Sequence, residues 1–375
     1  MRIGYDAKRY FNNSSGLGNY SRDLIRSMQE YYPENDYILY TTGTKHEAVH
    51  ENLKVRTPGN DFISKNFPFY WRSRGIIKDL KEDKIQIYHG LSGEIPVGID
   101  KSGLRSVVTI HDLIFFRYPE LYKPLDRMIY AKKFHYAAQR ADKIIAISEQ
   151  TKRDIIQFLH IDENKIEVIY QSCHPAFKQP ISEQKRDEVR KRYALPVDFI
   201  LNVGSVERRK NAIQIVKAIE DIDIPLIIIG KSTSYADEIK TYIGAHNLAQ
   251  KVKFLQVESM FDLACIYKLA RIFVYPSTFE GFGIPLIEAL YAGTPVITNR
   301  FGVFPEAAGP TSKYIDPEDI EELSSAINSI LASSSIQQQM KSDGLNYVQQ
   351  FNDEIITCKI EKLYQNLADD QISLF

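Results

Sequence analysis

The sequence is short of cysteine, and the three it has, Cys173, Cys265 and Cys358, lie far apart with no C-x-x-C pair. That argues against a disulfide framework or a cysteine-built zinc site, and it fits a reducing compartment. Long apolar runs are missing too: none approaches the ~20 residues a membrane-spanning helix needs. The chain opens MRIGYDAKRYF, charged almost at once, so no signal peptide is expected. A cytoplasmic protein is expected, one that meets a membrane only from its inner face, as a peripheral protein. An excess of charge of one sign is also absent, since 47 Lys+Arg against 48 Asp+Glu leave a formal net charge of -1. No global basic field points to a nucleic-acid partner.

What the sequence does have is a regular alternation. Its 375 residues suit two domains of ordinary size. Short apolar runs, RIGYDA, YILYTT, IQIYHG, SVVTIHD and KIIAIS, are followed by FILNVG, IPLIIIG, KFLQV, IFVYPS and PVIT. Each is trailed by a turn, a glycine or an amphipathic stretch. That is the pattern of βα units with parallel strands buried on both faces. The runs divide near residue 180, where HPAFKQPISEQKRDEVRKRYALP is proline-bounded and then highly charged. The expected fold class is α/β: two doubly wound, Rossmann-like domains, 1–178 and 179–352, facing a central cleft. Ligands of open α/β sheets lie beyond the carboxyl ends of the strands.

One stretch is unusual. FEGFGIPLIEALYAGTPVI, from Phe279 to Ile297, carries Glu280 and Glu288 around a Gly-Phe-Gly turn. Pro285 suits the first helical turn and Gly293 the position just past a helix end, so the spacing predicts a short helix over PLIEALYA. Its free N–H groups and the loop glycines offer a site for anions or sugar hydroxyls. A glycosidase pair needs carboxyls ~5 Å or ~6.5–9.5 Å apart. Eight residue steps of helix span ~12 Å, which favours two separate contacts. The plain alternative is that Glu288 complements its own helix N-terminus.

Other segments bear chemistry by position. LNVGSVERRKN brings Gly204, Ser205, Arg209, Lys210 and Asn211 to the end of a strand; a solvated charge run is the alternative. NNSSGLGNYSRDL places Gly16 and Gly18 before a helix expected to begin near Asn19, without the G-x-G-x-x-G of a dinucleotide site. VVTIHDLIFF puts His111 at a strand's carboxyl end. Ser148 reads as a helix N-cap. Residues 115–140 and 65–78 are rich in both basic and aromatic side chains, which suits an anionic bilayer surface or, equally, a packed helix with a wet face.

Taken together, E-G-F-G-I-P-L-x-E-A-L-x-x-G-x-P-V resembles the E-x(7)-E signature of retaining GT-B glycosyltransferases of family four. The resemblance implies that Glu280 contacts the donor sugar and Glu288 the nucleotide's ribose, with Phe282, Gly283 and Ile284 against sugar and phosphates. The GSVERRKN segment is similar to that family's G-x-x-x-x-R-K-N. It implies Gly204, Arg209 and Lys210 at the diphosphate, with Ser205 standing where many relatives carry an arginine. Gly16 and Gly18 match a loop near donor phosphates and acceptor, and His111 a histidine near the donor sugar. Catalysis is thus expected of His111, Glu280 and Lys210. By fold analogy the closing helix, 353–375, packs back on the first domain. The D-x-D of Asp221 and Asp223 precedes its strand and reads as a solvated loop, so neither a metal nor another cofactor is expected. The implied activity is retaining hexosyl transfer, with GDP-mannose the expected donor and a glycan or lipid-linked acceptor in cell-surface polysaccharide synthesis. The alternatives are a UDP-sugar donor on the same fold, or a non-catalytic nucleotide-sugar-binding protein.

Overall fold

The computed structural model describes residues 1–13, 16–43, 53–59 and 67–372. The chain packs as two units, Met1–Ser172 with Asn352–Phe375, and Cys173–Phe351.

Unit 1 holds a seven-stranded parallel sheet: β1 (Arg2–Asp6), β2 (Asp36–Tyr40), β3 (Lys54–Arg56), β4 (Ile87–Gly90), β5 (Arg105–Ile110), β6 (Lys143–Ala146) and β7 (Ile166–Val168). The spatial order is β3-β2-β1-β4-β5-β6-β7. Successive side chains on a strand face opposite ways. Ile3, Tyr5 and Leu39 therefore pack one face and Ile38, Tyr40 and Tyr88 the other. Helix α1 (Gly16–Tyr31) covers the first face, helices α2 (Pro124–Arg140) and α3 (Glu149–Leu159) the second. Ser148 caps α3 by accepting from the Thr151 N–H at 3.0 Å.

Helix α1 starts at Gly16, three residues before Asn19. The Asn13 side chain accepts the Gly18 N–H at 3.3 Å, and a Cβ on Gly18 would sit 1.8 Å from the Asn13 carbonyl oxygen. Gly18 thus belongs to the first helical turn, where only glycine lets the preceding backbone come so close. Ser14 and Ser15 of the same stretch lie outside the described residues.

Unit 2 holds six parallel strands: β8 (Ile200–Val203), β9 (Leu226–Ile229), β10 (Val252–Leu255), β11 (Ile272–Tyr275), β12 (Val296–Asn299) and β13 (Lys313–Ile315), ordered β10-β9-β8-β11-β12-β13. Its charged segment forms a helix, Glu183–Arg192, whose Arg192 and Lys185 pair with the buried Asp262. Asp221 and Asp223 are exposed and lie in the loop before β9.

All ten apolar runs are strands. The three additional ones, β3, β7 and β13, are three-residue strands at sheet edges, too short to show a period.

In both sheets the chain winds outward one way, then returns to wind the other. That puts a topological switch point between β1 and β4 in unit 1, and between β8 and β11 in unit 2. Doubly wound sheets bind ligands there, beyond the carboxyl ends.

Candidate active site

At the unit 2 switch point, β8 ends and the chain turns at Gly204, whose φ of 149° suits glycine. A tight turn over Arg208–Lys210 follows, closed by Asn211 at φ 58°, a left-handed conformation asparagine tolerates. From the neighbouring strand β11 comes the loop Ser277–Gly283. The two are clasped: the Thr278 N–H donates to the Arg209 carbonyl at 2.9 Å, and the Arg209 guanidinium donates to the Phe279 carbonyl.

The clasp sets one carboxylate among donors. Lys210 Nζ lies 2.5 Å from Glu280 Oε1, and Arg209 Nη1 lies 2.8 Å from the same oxygen. Ser277 Oγ donates to it at 2.7 Å and the Tyr275 hydroxyl at 2.9 Å. Glu280 and Lys210 are each only 12% exposed. Burial alone would raise the Glu280 carboxyl, but Lys210 and Arg209 hold it down at about 2. Burial lowers Lys210 despite the carboxylate beside it, while Glu280 raises Arg209 against its own burial. Lys210 and Arg209 thus converge on one buried carboxylate, and Arg209 Nη2 also lies 3.7 Å from the half-buried Glu207.

Helix α4 (Ile284–Tyr291) follows, with Pro285 in its first turn and Gly293 at φ 69° past its end. Gly283, at φ 105°, is its N-cap; a side chain there would be strained and would press on Leu286. Glu288 is buried on α4 and accepts from the Tyr267 hydroxyl at 2.9 Å. Phe282 turns its ring inward, edge-on to Phe351, so a ligand meets this residue through its backbone. Glu280 and Glu288 thus sit on one loop-helix unit with different partners.

Gly204, Ser205, Arg209, Lys210, Glu280, Phe282, Gly283, Ile284 and Glu288 all belong to unit 2; His111, Gly16 and Gly18 belong to unit 1. His111 directly follows β5. Its Nε2 lies 2.9 Å from the Leu91 carbonyl and its Nδ1 2.9 Å from the Gln171 side-chain amide. These partners assign a neutral ring protonated at Nε2. Burial pushes its pKa down to about 4 against the opposing Leu91 contact. Tyr20 meets the ring edge-on at 4.6 Å. A direct hydrogen bond from this imidazole to a sugar requires Gln171 or Leu91 to let go. Behind it, His89 bridges Thr109 at 2.8 Å and Tyr364 at 2.6 Å, and Thr109 meets Tyr20 at 3.1 Å.

Sequence reasoning placed Tyr275 and Ser277 at the lead into the Glu280 loop without a role, and did not read Tyr267 or Gln171. Only the polar pair at the carboxyl end of IFVYPS was a usable signal. Among the described residues no cluster of His, Cys, Asp and Glu is placed to hold a metal ion.

In the basic-aromatic stretch, α2 leaves Leu125, Met128 and Ile129 exposed, while Ala137 and Ala138 are buried. Of its cations, Lys133 pairs with Glu94 at 3.1 Å and Arg140 with Asp100 at 3.2 Å. Lys123, Arg127 and Lys132 are exposed. In the second stretch Lys65 and Asn66 lie outside the described residues; Phe67, Phe69 and Tyr70 are exposed. Among the described residues no helix is long and apolar enough to cross a membrane.

Comparison with known proteins agrees with this geometry. Residues 14–176 match the family Glycosyltransferase Family 4, and residues 185–346 match Glycosyl transferases group 1. The chain is 29% identical to O-antigen chain mannosyltransferase B of Escherichia coli over 77% of its own length and 76% of that protein. It is 30% identical to O-antigen chain mannosyltransferase RfbU of Salmonella typhimurium over 60% of each. Anabaena HepE, solved with UDP and glucose, superposes with a TM-score of 0.78 over 98% of this chain and 100% of that one, at 16% identity, a likeness of fold.

Proposed function

The chain belongs to the family-four glycosyltransferases and has their two-domain α/β GT-B fold, and from that premise we propose that it is a retaining, metal-independent hexosyltransferase of cell-surface polysaccharide synthesis. Mannose from GDP-mannose is the donor group of this reading, supported by the kinship with two O-antigen mannosyltransferases. The acceptor is a glycan or a lipid-linked glycan.

The observation that carries the reading is the buried group of Glu280, Lys210 and Arg209 at the switch point. In transfer, the bond from the sugar's anomeric carbon to the diphosphate breaks, and the acceptor oxygen bonds to that carbon on the same face. The acceptor's proton goes to the departing phosphate oxygen. Charge therefore develops on the diphosphate, where Lys210 and Arg209 supply fixed cations and α4 its free N–H groups. No metal is required for that role. Glu280 takes the sugar's hydroxyls and Glu288 the ribose. Gly204 and Gly283 keep side chains away from the phosphates, and Gly16 and Gly18 serve donor and acceptor from unit 1. His111 is neutral and is assigned positioning, not general base catalysis.

Thermal shift with GDP, UDP and ADP tests the donor. A ligand at a hundred times its Kd stabilises by ~2.7 kcal/mol, so a base-selective shift is measurable. The largest shift is expected with GDP, followed by turnover of GDP-mannose. A larger shift with UDP transfers the reading to a UDP-sugar, which the likeness to the UDP-bound HepE favours. No shift with any nucleotide removes the enzyme reading altogether.

For a lipid-linked acceptor, the exposed apolar side chains of α2 with Lys123 and Arg127 form the membrane-facing surface of this reading. Lys133, engaged with Glu94, is not part of it.

A further inference from the structure

Unit 1 carries a second charged group at its own switch point. Asp6 is the last residue of β1, and Glu94 follows β4 by four residues. Arg72 bridges them: its Nε donates to Asp6 Oδ1 at 3.1 Å, its Nη2 to Asp6 Oδ2, and its Nη1 to Glu94 Oε2 at 2.6 Å. Lys133 Nζ donates to Glu94 Oε1 at 3.1 Å. Asp6 and Arg72 are 3% and 8% exposed. A buried ionic network of this kind is costly to assemble and is weak evidence for stability alone. It walls a cavity of ≈ 290 Å³, which Phe69, Tyr88 and Tyr136 also line.

We propose that this cavity is a subsite for one neutral hexose residue of the acceptor glycan. The inference rests on the glycosyltransferase reading above and adds the site and the chemical class of what it holds.

Three observations point to a neutral, polyhydroxylated occupant. First, the cations of the buried network are already spent. Each of the Arg72 nitrogens Nε, Nη1 and Nη2 donates to a carboxylate, and Lys133 donates to Glu94. The charges of Asp6, Glu94, Arg72 and Lys133 cancel, so a phosphate would find two carboxylates, two compensated cations and, of the lining cations, only the exposed Lys132 outside the network. Second, hydrogen-bonding capacity remains where hydroxyls use it. An ionised carboxylate has about four acceptor positions, and Arg72 and Lys133 take one on each Glu94 oxygen. Tyr136 accepts from the Gly98 N–H at 2.7 Å, which leaves its own proton to donate. Burial works to raise Glu94, but Arg72 and Lys133 hold it at about 2, so it accepts at any working pH. Third, Phe69 is 61% exposed at the rim and gives a sugar ring an apolar surface. An apolar lining with a few convergent polar groups is how small-ligand sites are built, and the volume lies at the lower end of their usual ~300–1,000 Å³, suited to one sugar residue.

The protein brings its own reporter. Its single tryptophan, Trp71, immediately precedes Arg72, is buried, and donates to Asp79 at 2.6 Å. The experiment titrates the full chain with methyl glycosides of mannose, glucose, galactose and N-acetylglucosamine, and with inorganic pyrophosphate, while following Trp71 emission. Glu94→Gln and Phe69→Ala are run in parallel, with circular dichroism to verify folding. GDP and UDP binding is measured separately by calorimetry. A saturable response to at least one glycoside is expected. It should weaken about tenfold or more in Glu94→Gln, the scale of a hydrogen bond to a charged group, and also weaken in Phe69→Ala, with nucleotide affinity at the wild-type value in both. No glycoside response, or an unchanged one in the variants, overturns the subsite. Saturable binding of pyrophosphate in place of glycosides overturns the neutral class. Loss of nucleotide binding in the wild type strikes the glycosyltransferase reading instead, and the glycoside arm still decides the cavity.

Discussion

Glu280→Gln keeps the size of the side chain and removes its charge, leaving Lys210 and Arg209 with no carboxylate but the half-buried Glu207, 3.7 Å from Arg209 Nη2. The two cations are 12% and 18% exposed, so solvent screens them little. Breaking a buried ion pair by removing one partner costs ~3–5 kcal/mol. Lys210, already lowered by burial, has its main support in Glu280, and it relieves part of the cost by giving up its proton. We expect a net loss of roughly 3 kcal/mol, read as a Tm lower by about 6–12 °C for a domain of this size. The same change should invert the response to nucleotide. In the wild type a diphosphate must share Lys210 and Arg209 with Glu280; in the variant only Glu207, at 3.7 Å from Arg209, still competes for them. GDP or UDP should therefore raise the variant's Tm by more than the wild type's, while sugar transfer falls about a hundredfold with the lost contact to the donor sugar. Scanning calorimetry with and without nucleotide, beside a turnover assay, reads all three. A Tm within about 1 °C of wild type, or a smaller nucleotide shift in the variant, would refute the reasoning.

Glu288→Gln keeps a partner for Tyr267 and should weaken nucleoside diphosphate binding about tenfold or more by calorimetry, the scale of a charged hydrogen bond to ribose. Transfer should proceed at the wild-type rate in excess EDTA, because Lys210 and Arg209 supply the positive charge; loss of activity restored by manganese contradicts this. Stability should fall as pH drops below ~6.5. Burial lowers His89 to about 3 and His111 to about 4, so the unfolded chain binds more protons than the folded one across that window. Each histidine then costs up to ~1.4 kcal/mol per pH unit. Glu280 and Glu94, held at about 2, add their losses only below ~4.5; a Tm constant from pH 7 to 5 contradicts the histidine assignment. Anionic vesicles should pellet the wild type in a salt-sensitive manner and release a Lys123→Glu, Arg127→Glu variant, each charge contributing ~1 kcal/mol; equal pelleting returns α2 to the role of a packed helix with a wet face.

The strands were legible because a parallel strand buried on both faces must be apolar throughout, as LIII of β9 is. The clasp around Glu280 was only half legible. Glycine, proline and the two acids mark the loop and helix, but nothing local says that Arg209 and Lys210 meet a residue 70 positions away. Sheet order brings β8 beside β11, and order is a property of the whole chain. The unit 1 network was not read at all. Asp6 ends an apolar strand, which is a signal, but nothing local pairs it with Arg72, one of several cations in the basic-aromatic stretch 65–78, or with Glu94. The partner of Lys133 was not legible either: its basic, aromatic neighbourhood suits a bilayer surface or a packed helix alike, and Glu94 lies on another loop.

Helix α5 (Asp353–Ile372) belongs to unit 1 although the chain reaches it only after completing unit 2. Its Ile356, Ile360, Leu363 and Tyr364 share a core with Ile3, Tyr5 and α1, and Tyr364 holds His89. During synthesis, then, the first 172 residues emerge with one sheet face covered only in part, by α1, and must wait for some two hundred more before the last helix completes it. Unit 2 is contiguous and can finish on its own, so the half made first is the half that matures last. A ribosome stalled anywhere before residue 353 releases a chain with part of an apolar sheet face open to solvent, a substrate for chaperones. A deletion of the last 23 residues should likewise aggregate through unit 1 while nucleotide binding in unit 2 persists.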